Sequence, residues 1–237
     1  MRTFVGTSGY SYKEWKGFFY PPDLPASQML HFYAGRFGTV EINNTFYRMP
    51  SAAVLSSWSE QVPETFVFVL KAPRSITHMR QLNEVGDALG YFWKTAGALG
   101  PRLGPVLFQM PPFFKKDLAR LRDFLRQLPE GCRAAFEFRH PSWFADDAYE
   151  VLRSAGAPLC LAETDEQEAP SVATGNWGYL RLRRSDYDAS SIRVWAERIR
   201  SQPWDSAYIF FKHEDEAKGP RFAGQLNEAL AELNPKA

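Results

Sequence analysis

The strongest constraint on this chain is a recurring pattern of short apolar runs, most of which end in a polar or charged residue. A helical pattern or a turn-rich segment separates each run from the next. This alternation predicts a closed barrel of parallel strands, with chemistry gathered at the strand ends. The eight predicted strands are residues 3–6, 39–42, 66–70, 105–108, 134–138, 158–162, 179–182 and 207–211.

The length of the chain fits this architecture. Eight units in 237 residues average roughly 30 residues each, close to a compact barrel of about 250 residues. No composition break marks a linker, and 45% apolar residues support a substantial core. We therefore predict the α/β class, as one TIM-like (β/α)8 barrel domain over residues 1–237. The polar segment 163–176 contains Pro170 and Gly175, so the helix between strands six and seven is expected to be short or missing.

Helical periodicity follows most of the strands. Ser51 precedes an apolar pattern that runs to Trp58, and Asp117 precedes another that runs to Leu128. Both side chains can accept hydrogen bonds from first-turn N–H groups, so we predict them as N-caps. Further helices are predicted over residues 27–37, 146–152, 192–199 and 222–233.

Composition and cysteine usage limit which partners, metal sites and cellular locations are expected for the protein. With 28 basic and 27 acidic residues the net charge is +1, so no overall field favours nucleic acid or membrane. Cys132 and Cys160 lack the spacing of zinc or iron–sulfur sites and are predicted to be buried free thiols. No signal peptide and no bilayer-spanning apolar stretch is expected, so we predict a cytoplasmic protein without a membrane partner.

Strand alternation predicts which polar side chains share the interior. In the second strand Val40 and Ile42 form one set, whereas Glu41 and Asn43 belong to the other. Because the outer face must pack against helices, Glu41 and Asn43 are expected to point inward. The same parity adds Lys71, Gln109, Glu137, Arg139, Arg181, Arg183 and Lys212 to this inward set.

The inward set carries two acids and five bases, a surplus of three positive charges. Buried charges are costly unless they are paired, and arginine and lysine bind carboxylate, phosphate and sulfate. A pocket that holds an anion at the carboxyl-terminal strand ends is therefore the leading hypothesis. The alternative is charge-neutral packing, in which Glu41 and Lys71 simply form a pair.

Other chemistry receives weaker support. His78 and His140 could join Glu41 and Glu137 around a metal ion, but their spacing gives no support, so no cofactor is predicted. A glycosidase pair of the two glutamates is disfavoured because neighbouring cations would keep both ionised. A Schiff base at Lys71 would require other cations to lower its pKa.

Six short motifs occur in order along nearly the whole chain. They are residues 6–12 (GTSGYSY), 40–47 (VEINNTFY), 71–74 (KAPR), 107–109 (LFQ), 137–140 (EFRH) and 179–181 (YLR). Together they resemble the family called domain of unknown function 72. The resemblance implies a TIM-barrel fold, similar in shape to sugar-isomerase and apurinic-endonuclease barrels, and implies no established activity.

Two places depart from the commoner pattern of that family. Many members have histidine where this chain has Arg183, and paired asparagines where it has Lys212 and His213. Both changes add positive charge, which favours an anionic ligand and weakens a metal site.

The first functional hypothesis is a metal-independent hydrolase, lyase or isomerase. Its substrate would be a phosphorylated or carboxylated small molecule, or a nucleic-acid fragment, clamped by Arg139, Arg181 and Lys212. The alternatives are a binding module without turnover and an interaction scaffold whose charged ring is structural. The other residues expected to contact a ligand are Ser8, Tyr12, Asn43, Tyr47, Arg74, His78, Gln109, His140, Trp143 and Arg183.

Three residues are assigned catalytic roles under the first hypothesis. Glu41 or Glu137 would accept a proton, and Lys71 would orient the acceptor or donate a proton.

Overall fold

The structure, a computed structural model, describes residues 1–213 and 215–233. Each of the eight predicted strands corresponds to a strand, and the strands form two four-stranded parallel sheets with intervening helices. This arrangement confirms the predicted α/β class. The strands are β1 (Arg2–Thr7), β2 (Thr39–Ile42), β3 (Val67–Lys71), β4 (Leu103–Gln109), β5 (Ala134–Glu137), β6 (Leu161–Glu163), β7 (Trp177–Leu182) and β8 (Ser206–Phe211).

Seven α-helices lie within the described part of the chain. The predicted caps are confirmed: the Ser51 hydroxyl accepts a hydrogen bond from Val54 N at 3.4 Å, and Asp117 accepts one from Arg120 N at 3.0 Å. The helices are α1 (Met29–Ala34), α2 (Ala52–Glu60), α3 (Gly86–Ala96), α4 (Leu118–Arg126), α5 (Asp146–Ser154), α6 (Ala189–Arg200) and α7 (Lys218–Glu232).

One sheet has the strand order β1-β8-β7-β6 and the other has the order β2-β3-β4-β5. The chain divides into two compact units. The first unit contains Met1–Glu41, Leu161–Ser171 and the described residues from Asn176 onward, and the second contains Ile42–Cys160 and Val172–Gly175. The closed barrel and the single domain over 1–237 stay predictions, and residues 214 and 234–237 of that range lie outside the described residues.

The sixth strand differs in extent from its prediction over 158–162. Regular pairing with β7 is confined to the three residues of β6, Leu161–Glu163. The residues just before β6, which belong to the second unit, form two backbone hydrogen bonds with Phe136 of β5. Phe136 N donates to Pro158 O at 3.0 Å, and Cys160 N donates to Phe136 O at 2.7 Å. Residues 164–176 contain no helix, as predicted.

The two cysteines are free thiols, as predicted. Cys160 is buried, but Cys132 is only partly buried, because it lies in the loop before β5. Partial burial raises the pKa of the Cys132 thiol to about 11. None of the described helices combines the length and the apolar character that crossing a bilayer requires.

In the first unit, a close backbone approach depends on a glycine. Tyr33 connects β1 and β2, because its hydroxyl accepts from Thr7 N at 2.9 Å and donates to Thr39 O at 3.0 Å. A Cβ at Gly6 would lie 2.2 Å from Thr39 O and 2.9 Å from the Tyr33 hydroxyl. The absence of a side chain at Gly6 therefore allows the Tyr33 bridge to form.

In the second unit, aromatic rings fill the space between sheet and helix. Phe108 of β4 stacks on Phe136 of β5 with 5.5 Å between centroids, and Phe124 of α4 meets Phe108 edge-on at 5.0 Å. All three side chains are fully buried. This packing holds the carboxyl-terminal ends of β4 and β5 side by side, where Gln109 and Glu137 are paired in register.

Replacing Gly6 with alanine is expected to destabilise the protein by about 1–3 kcal/mol, because the added methyl overlaps the Thr39 carbonyl. Gly38→Ala is the matched control, since no heavy atom lies within 4 Å of a Cβ there. Urea unfolding of both variants measures the difference. Equal free energies of unfolding for the two variants would contradict the proposed close approach.

Candidate functional site

A buried carboxylate lies at the end of β2 in the first unit. Glu41 is 0% exposed, and we call it, together with Ser8, Tyr179 and Arg181, the Glu41 cluster. The Ser8 hydroxyl donates to Glu41 Oε1 at 2.7 Å, and Arg181 Nη2 donates to the same oxygen at 2.9 Å. The Tyr179 hydroxyl donates to Oε2 at 2.6 Å. Both carboxylate oxygens are therefore occupied by donors from β7 and from the end of β1.

The Glu41 cluster favours an ionised, weakly basic carboxylate. Burial acts to raise the pKa of Glu41, but the Arg181 guanidinium and the hydrogen bonds from Tyr179 and Ser8 outweigh it, so the pKa lies below its usual range. The buried pair of Glu41 and Arg181 carries no net charge. A carboxylate held in this way suits structural support better than proton abstraction.

Other predicted residues of the first unit surround this cluster at the strand ends. The Tyr12 hydroxyl donates to Ser8 O at 2.6 Å, and its ring lies 4.8 Å from that of Trp15. Arg183 follows β7 and is partly buried, and its backbone N donates to Glu163 O. Lys212 follows β8 with an exposed side chain that forms no ion pair with a described residue.

A cleft of about 730 Å³ also opens in the first unit, between the segment after β6 and α6. Its buried carboxylate, Glu163, accepts from the Tyr187 hydroxyl at 2.8 Å and from Trp195 Nε1 at 3.0 Å. Five acidic side chains but only two arginines line the cleft. This excess of negative charge disfavours an anionic ligand there.

The second unit gathers charged residues around one histidine. We call Lys71, Arg74, His78, Glu137 and Arg139 the His78 cluster, because the other four members all act electrostatically on His78. They lie at or just after the carboxyl-terminal ends of β3 and β5. Three cations face one carboxylate, so the cluster carries a surplus of two positive charges when His78 is neutral.

Glu137 is the buried anchor of the His78 cluster. It is 1% exposed, and its Oε1 accepts from Gln109 Nε2 at 2.8 Å and from Arg139 Nε at 3.2 Å. The Arg139 side chain remains 38% exposed. Glu137 thus holds the Nε end of the Arg139 guanidinium, while part of the Arg139 side chain stays accessible to solvent.

An aromatic ring separates Lys71 from His78. Phe46 lies with its centroid 3.9 Å from Lys71 Nζ and 4.8 Å from the His78 ring, which stands nearly perpendicular to it. The Thr45 hydroxyl donates to Lys71 O at 2.7 Å and fixes the end of β3. The Lys71 ammonium group and the His78 imidazole are thereby held at defined positions on the same ring.

His78 belongs to a π-helical turn, Ser75–Met79, of the kind that often occurs at functional sites. Burial and then Lys71, Arg139 and Arg74 lower the pKa of His78, and Glu137 opposes them. Because the pKa lies below its ordinary value, the imidazole is mainly neutral at pH 7.

The remaining predicted residues lie at varied depths in the second unit. Asn43 is partly exposed, and its carbonyl accepts from Phe46 N at 3.0 Å. Tyr47 is 74% exposed and meets the edge of Phe46. His140 Nδ1 lies 2.8 Å from the Ser142 hydroxyl.

Trp143 differs from the other predicted ligand contacts because it is only 1% exposed. Its ring stacks on Phe138 with 4.0 Å between centroids, and its Nε1 donates to Phe114 O at 2.8 Å. The Trp143 indole is thus packed against neighbouring side chains in the interior. Its predicted contact with a ligand is supported by the sequence alone.

The structure thus brings together Lys71, Arg74, His78, Gln109, Glu137 and Arg139 in one unit, and Ser8, Glu41 and Arg181 in the other. Sequence reasoning missed Tyr179, although it shares the strand parity of Arg181. It also missed Phe46 and Thr77, which lie in the short helical turns Asn44–Phe46 and Ser75–Met79, where strand parity does not apply. Within residues 1–213 and 215–233, no three histidine, cysteine, aspartate or glutamate side chains form a group that could hold a metal ion.

Comparison with known proteins agrees with this architecture and its motifs. The model of the family described as "Protein of unknown function DUF72" matches residues 4–237, and the chain belongs to that family. UPF0759 protein YecE of Escherichia coli strain K12 is 30% identical over 234 residues, a match that covers 86% of each chain. UPF0759 protein YunF of Bacillus subtilis strain 168 is 33% identical over 144 residues, covering 57% of this chain and 51% of that protein.

Solved structures share the fold. The DUF72 family protein TM1631 of Thermotoga maritima superposes with a TM-score of 0.87 at 26% identity, covering 97% of this chain and 99% of that chain. The DUF72 family protein EF0366 of Enterococcus faecalis gives 0.81 at 17% identity, with 99% and 96% covered. SacUVDE gives 0.61 at 11% identity, with 99% of each chain covered. The last two likenesses extend to the fold only, and the family structures confirm the predicted TIM-like α/β class.

Removal of the Arg181 side chain is expected to cost about 3–5 kcal/mol of stability, because Arg181→Ala leaves the buried Glu41 carboxylate without its ion pair. Chemical denaturation monitored by circular dichroism gives the free energy of unfolding. Arg153→Ala, which breaks an exposed pair with Glu150, is the control and should cost less than about 1 kcal/mol. Similar losses for both variants would show that the Glu41 pair is no more important than a surface pair.

Glu41 should also contribute to acid sensitivity. Its folded-state pKa is lowered, so its contribution to stability is present above the unfolded pKa of about 4.3 and is lost as pH falls further. Glu41→Gln should therefore show a shallower loss of stability below about pH 4.3 than the unsubstituted protein. Denaturation at stepped pH measures this slope, and Glu150→Gln, at an exposed position, should leave it unchanged.

Proposed function

We propose that this protein binds an anionic small molecule, bearing phosphate or carboxylate, through the His78 cluster at the carboxyl-terminal ends of β3 and β5. The observation that carries the proposal is the surplus of positive charge around His78. Among the charged groups that act on the pKa of His78, Lys71, Arg74 and Arg139 are cationic and Glu137 is anionic. Cations placed close together repel one another, and an anion bound between them is attracted to each cation and offsets their mutual repulsion.

The exposed donors of the cluster suit an oxyanion. Arg139 hydrogen-bonds to a described residue only through Nε, so its two Nη groups are available to a ligand. Arg74 is exposed and forms no ion pair with a described residue. Arginine presents several N–H groups in a planar fork, which matches the paired oxygens of carboxylate and phosphate.

The catalytic form of the proposal is a metal-independent hydrolase, lyase or isomerase. Glu137 and His78 are the groups of the second unit that could exchange a proton with the ligand. Glu41 is less suited to that role, because three donors already engage its oxygens. The assignment of Glu41, Lys71 and Glu137 as catalytic residues, and a cytoplasmic location, stay predictions.

A nucleic-acid fragment is the second ligand class that an observation favours. Tyr47 is 74% exposed beside Phe46, whose ring contacts both Lys71 and His78. An exposed aromatic ring next to a cationic group can stack a base while the cation meets a phosphate. Binding of a dinucleotide that weakens in Tyr47→Ala, with sulfate binding unchanged, would support this class.

The structural alternative fits the first unit better than the second. The Glu41 cluster is buried and neutral, and both oxygens of its carboxylate accept hydrogen bonds, as expected of charge-neutral packing. The His78 cluster has a charge excess and exposed arginines, which packing alone does not require.

Sulfate should bind to the protein in isothermal titration calorimetry at low ionic strength. Arg74→Gln and Arg139→Gln should each weaken that binding by about tenfold to about a hundredfold, because a hydrogen bond to a charged group is worth about 1.5–3 kcal/mol. Arg126→Gln is the matched control, since Arg126 lies on the exposed surface of α4 and should leave the affinity unchanged. Added sodium chloride should weaken binding by screening.

Two results would count against the proposal. Sulfate binding that is absent at all concentrations tested would remove the anion site, provided that the protein is folded by circular dichroism. Equal losses in the Arg126→Gln control and in the two cluster variants would indicate general charge attraction instead.

A further inference from the structure

We propose that His78 is the proton-carrying group of this site, and that it takes up a proton on Nε2 when an oxyanion binds. The inference rests on the proposed function, since it requires the anion to occupy the His78 cluster. The bound anion would then be met by a charged N–H group in addition to the arginines. The proton comes from solvent, and only a hydrogen bond forms between His78 and the ligand.

The hydrogen bonds of Thr77 assign the tautomer of His78. The Thr77 hydroxyl donates to Pro73 O at 3.3 Å, the bond that a threonine within a helical turn makes to the preceding turn. Its single proton is then used, so it accepts from His78 Nδ1, which lies 3.0 Å away. The tautomer with hydrogen on Nδ1 is the one in which both contacts of the Thr77 hydroxyl are hydrogen bonds at once, so we infer that the lone pair of the neutral ring resides on Nε2.

The Nε2 atom is available for a ligand. Among the described residues, the bond at Nδ1 is the one side-chain hydrogen bond that His78 makes. The imidazole is partly exposed, and its plane is fixed by the perpendicular contact with Phe46. The ring is thus oriented on one side and open to hydrogen bonding on the other.

The charged groups around His78 couple its protonation to anion binding. Lys71 ends β3, Arg74 lies in the loop that follows, and Arg139 and Glu137 come from β5 and the residues just after it. The three cations and burial lower the pKa of His78, and Glu137 raises it by less. A bound oxyanion offsets the cations, so it raises the pKa of His78 and favours uptake of a proton.

Both glutamates of the two clusters are less suited to this role than His78. Glu137 accepts hydrogen bonds from Gln109 and Arg139. The three donors of the Glu41 cluster engage Glu41 in the same way. These hydrogen bonds stabilise both carboxylates in the charged form. A neutral imidazole between cations is the group whose charge changes most readily near physiological pH.

The sign of the pH dependence follows from this coupling. Above the pKa of His78 in the complex, the anion binds to a neutral imidazole. Below the lowered pKa of the unliganded protein, it binds to an imidazolium and binds more tightly. Between these two values the affinity should increase as pH falls, by at most about tenfold per pH unit for a single proton.

The test is sulfate binding by calorimetry between about pH 5 and about pH 8, in two buffers whose ionisation enthalpies differ. Sulfate stays fully ionised over this range, so any proton taken up goes to the protein. The apparent binding enthalpy should differ between the two buffers and give an uptake of up to one proton per sulfate. His78→Gln should bind sulfate with much smaller proton uptake, whereas His31→Gln, on the exposed face of α1, should retain it.

A second measurement keeps the inference testable if His78→Gln fails to fold. In the unsubstituted protein, the nitrogen chemical shifts of the His78 imidazole report the tautomer and the pKa. We expect hydrogen on Nδ1 in the neutral ring, and a pKa that rises when sulfate is added.

The outcomes separate this inference from the proposed function. Sulfate binding without proton uptake, uptake that persists in His78→Gln, or a neutral ring protonated on Nε2 would overturn the role of His78 and leave the anion site intact. Absence of sulfate binding in the folded, unsubstituted protein would overturn both.

Discussion

The burial of one carboxylate constrains the whole strand end of the first unit. Glu41 has no exposed surface, so its charge must be balanced inside the protein. Arg181 supplies the opposite charge, and Ser8 and Tyr179 supply the remaining hydrogen bonds. These donors come from the end of β1 and from β7, so the register of those strands must place all three side chains toward one point. The arrangement of these strand ends thus depends on a polar requirement as well as on apolar packing.

The two units differ in how the charge of their buried glutamates is balanced, and this difference supports the proposed anion site in the second unit. In the first unit the Glu41 cluster is closed and neutral, so it resembles structural packing. In the second unit Glu137 is equally buried but is outnumbered by cations that extend to the surface. An anion would stabilise the second arrangement and would gain little from the first. The family to which the chain belongs has no established activity, so this contrast is the main guide to the site.

Much of the fold followed from the sequence because alternation and capping are local signals. Glu41, Gln109, Glu137 and Arg181, which parity assigned to the inward set, are all buried. Helix α3 was missed because the residue before it, Val85, has no side chain that could cap its N-terminus. The predicted bounds of the sixth strand were too early because residues 158 and 160 form hydrogen bonds with Phe136 of β5 and are not part of β6. The partners of His78 could not be predicted for another reason: Phe46 and Thr77 lie in short helical turns that have no apolar periodicity to indicate where their side chains point. The set of cations that lie in one site depends on packing between segments that are distant in sequence. No local sequence pattern encodes this packing.

The π-helical turn that carries His78 has a consequence for how this site tolerates change in length. A π-turn accommodates one residue more than the corresponding α-helical turn. Since each helical residue advances by about 100° around the axis, deletion of a single residue from Ser75–Met79 would rotate the imidazole away from Phe46. A substitution in this segment leaves the backbone register of position 78 unchanged, whereas a one-residue deletion shifts it. Homologues that keep the histidine but shorten this segment would accordingly present it to a different part of the molecule.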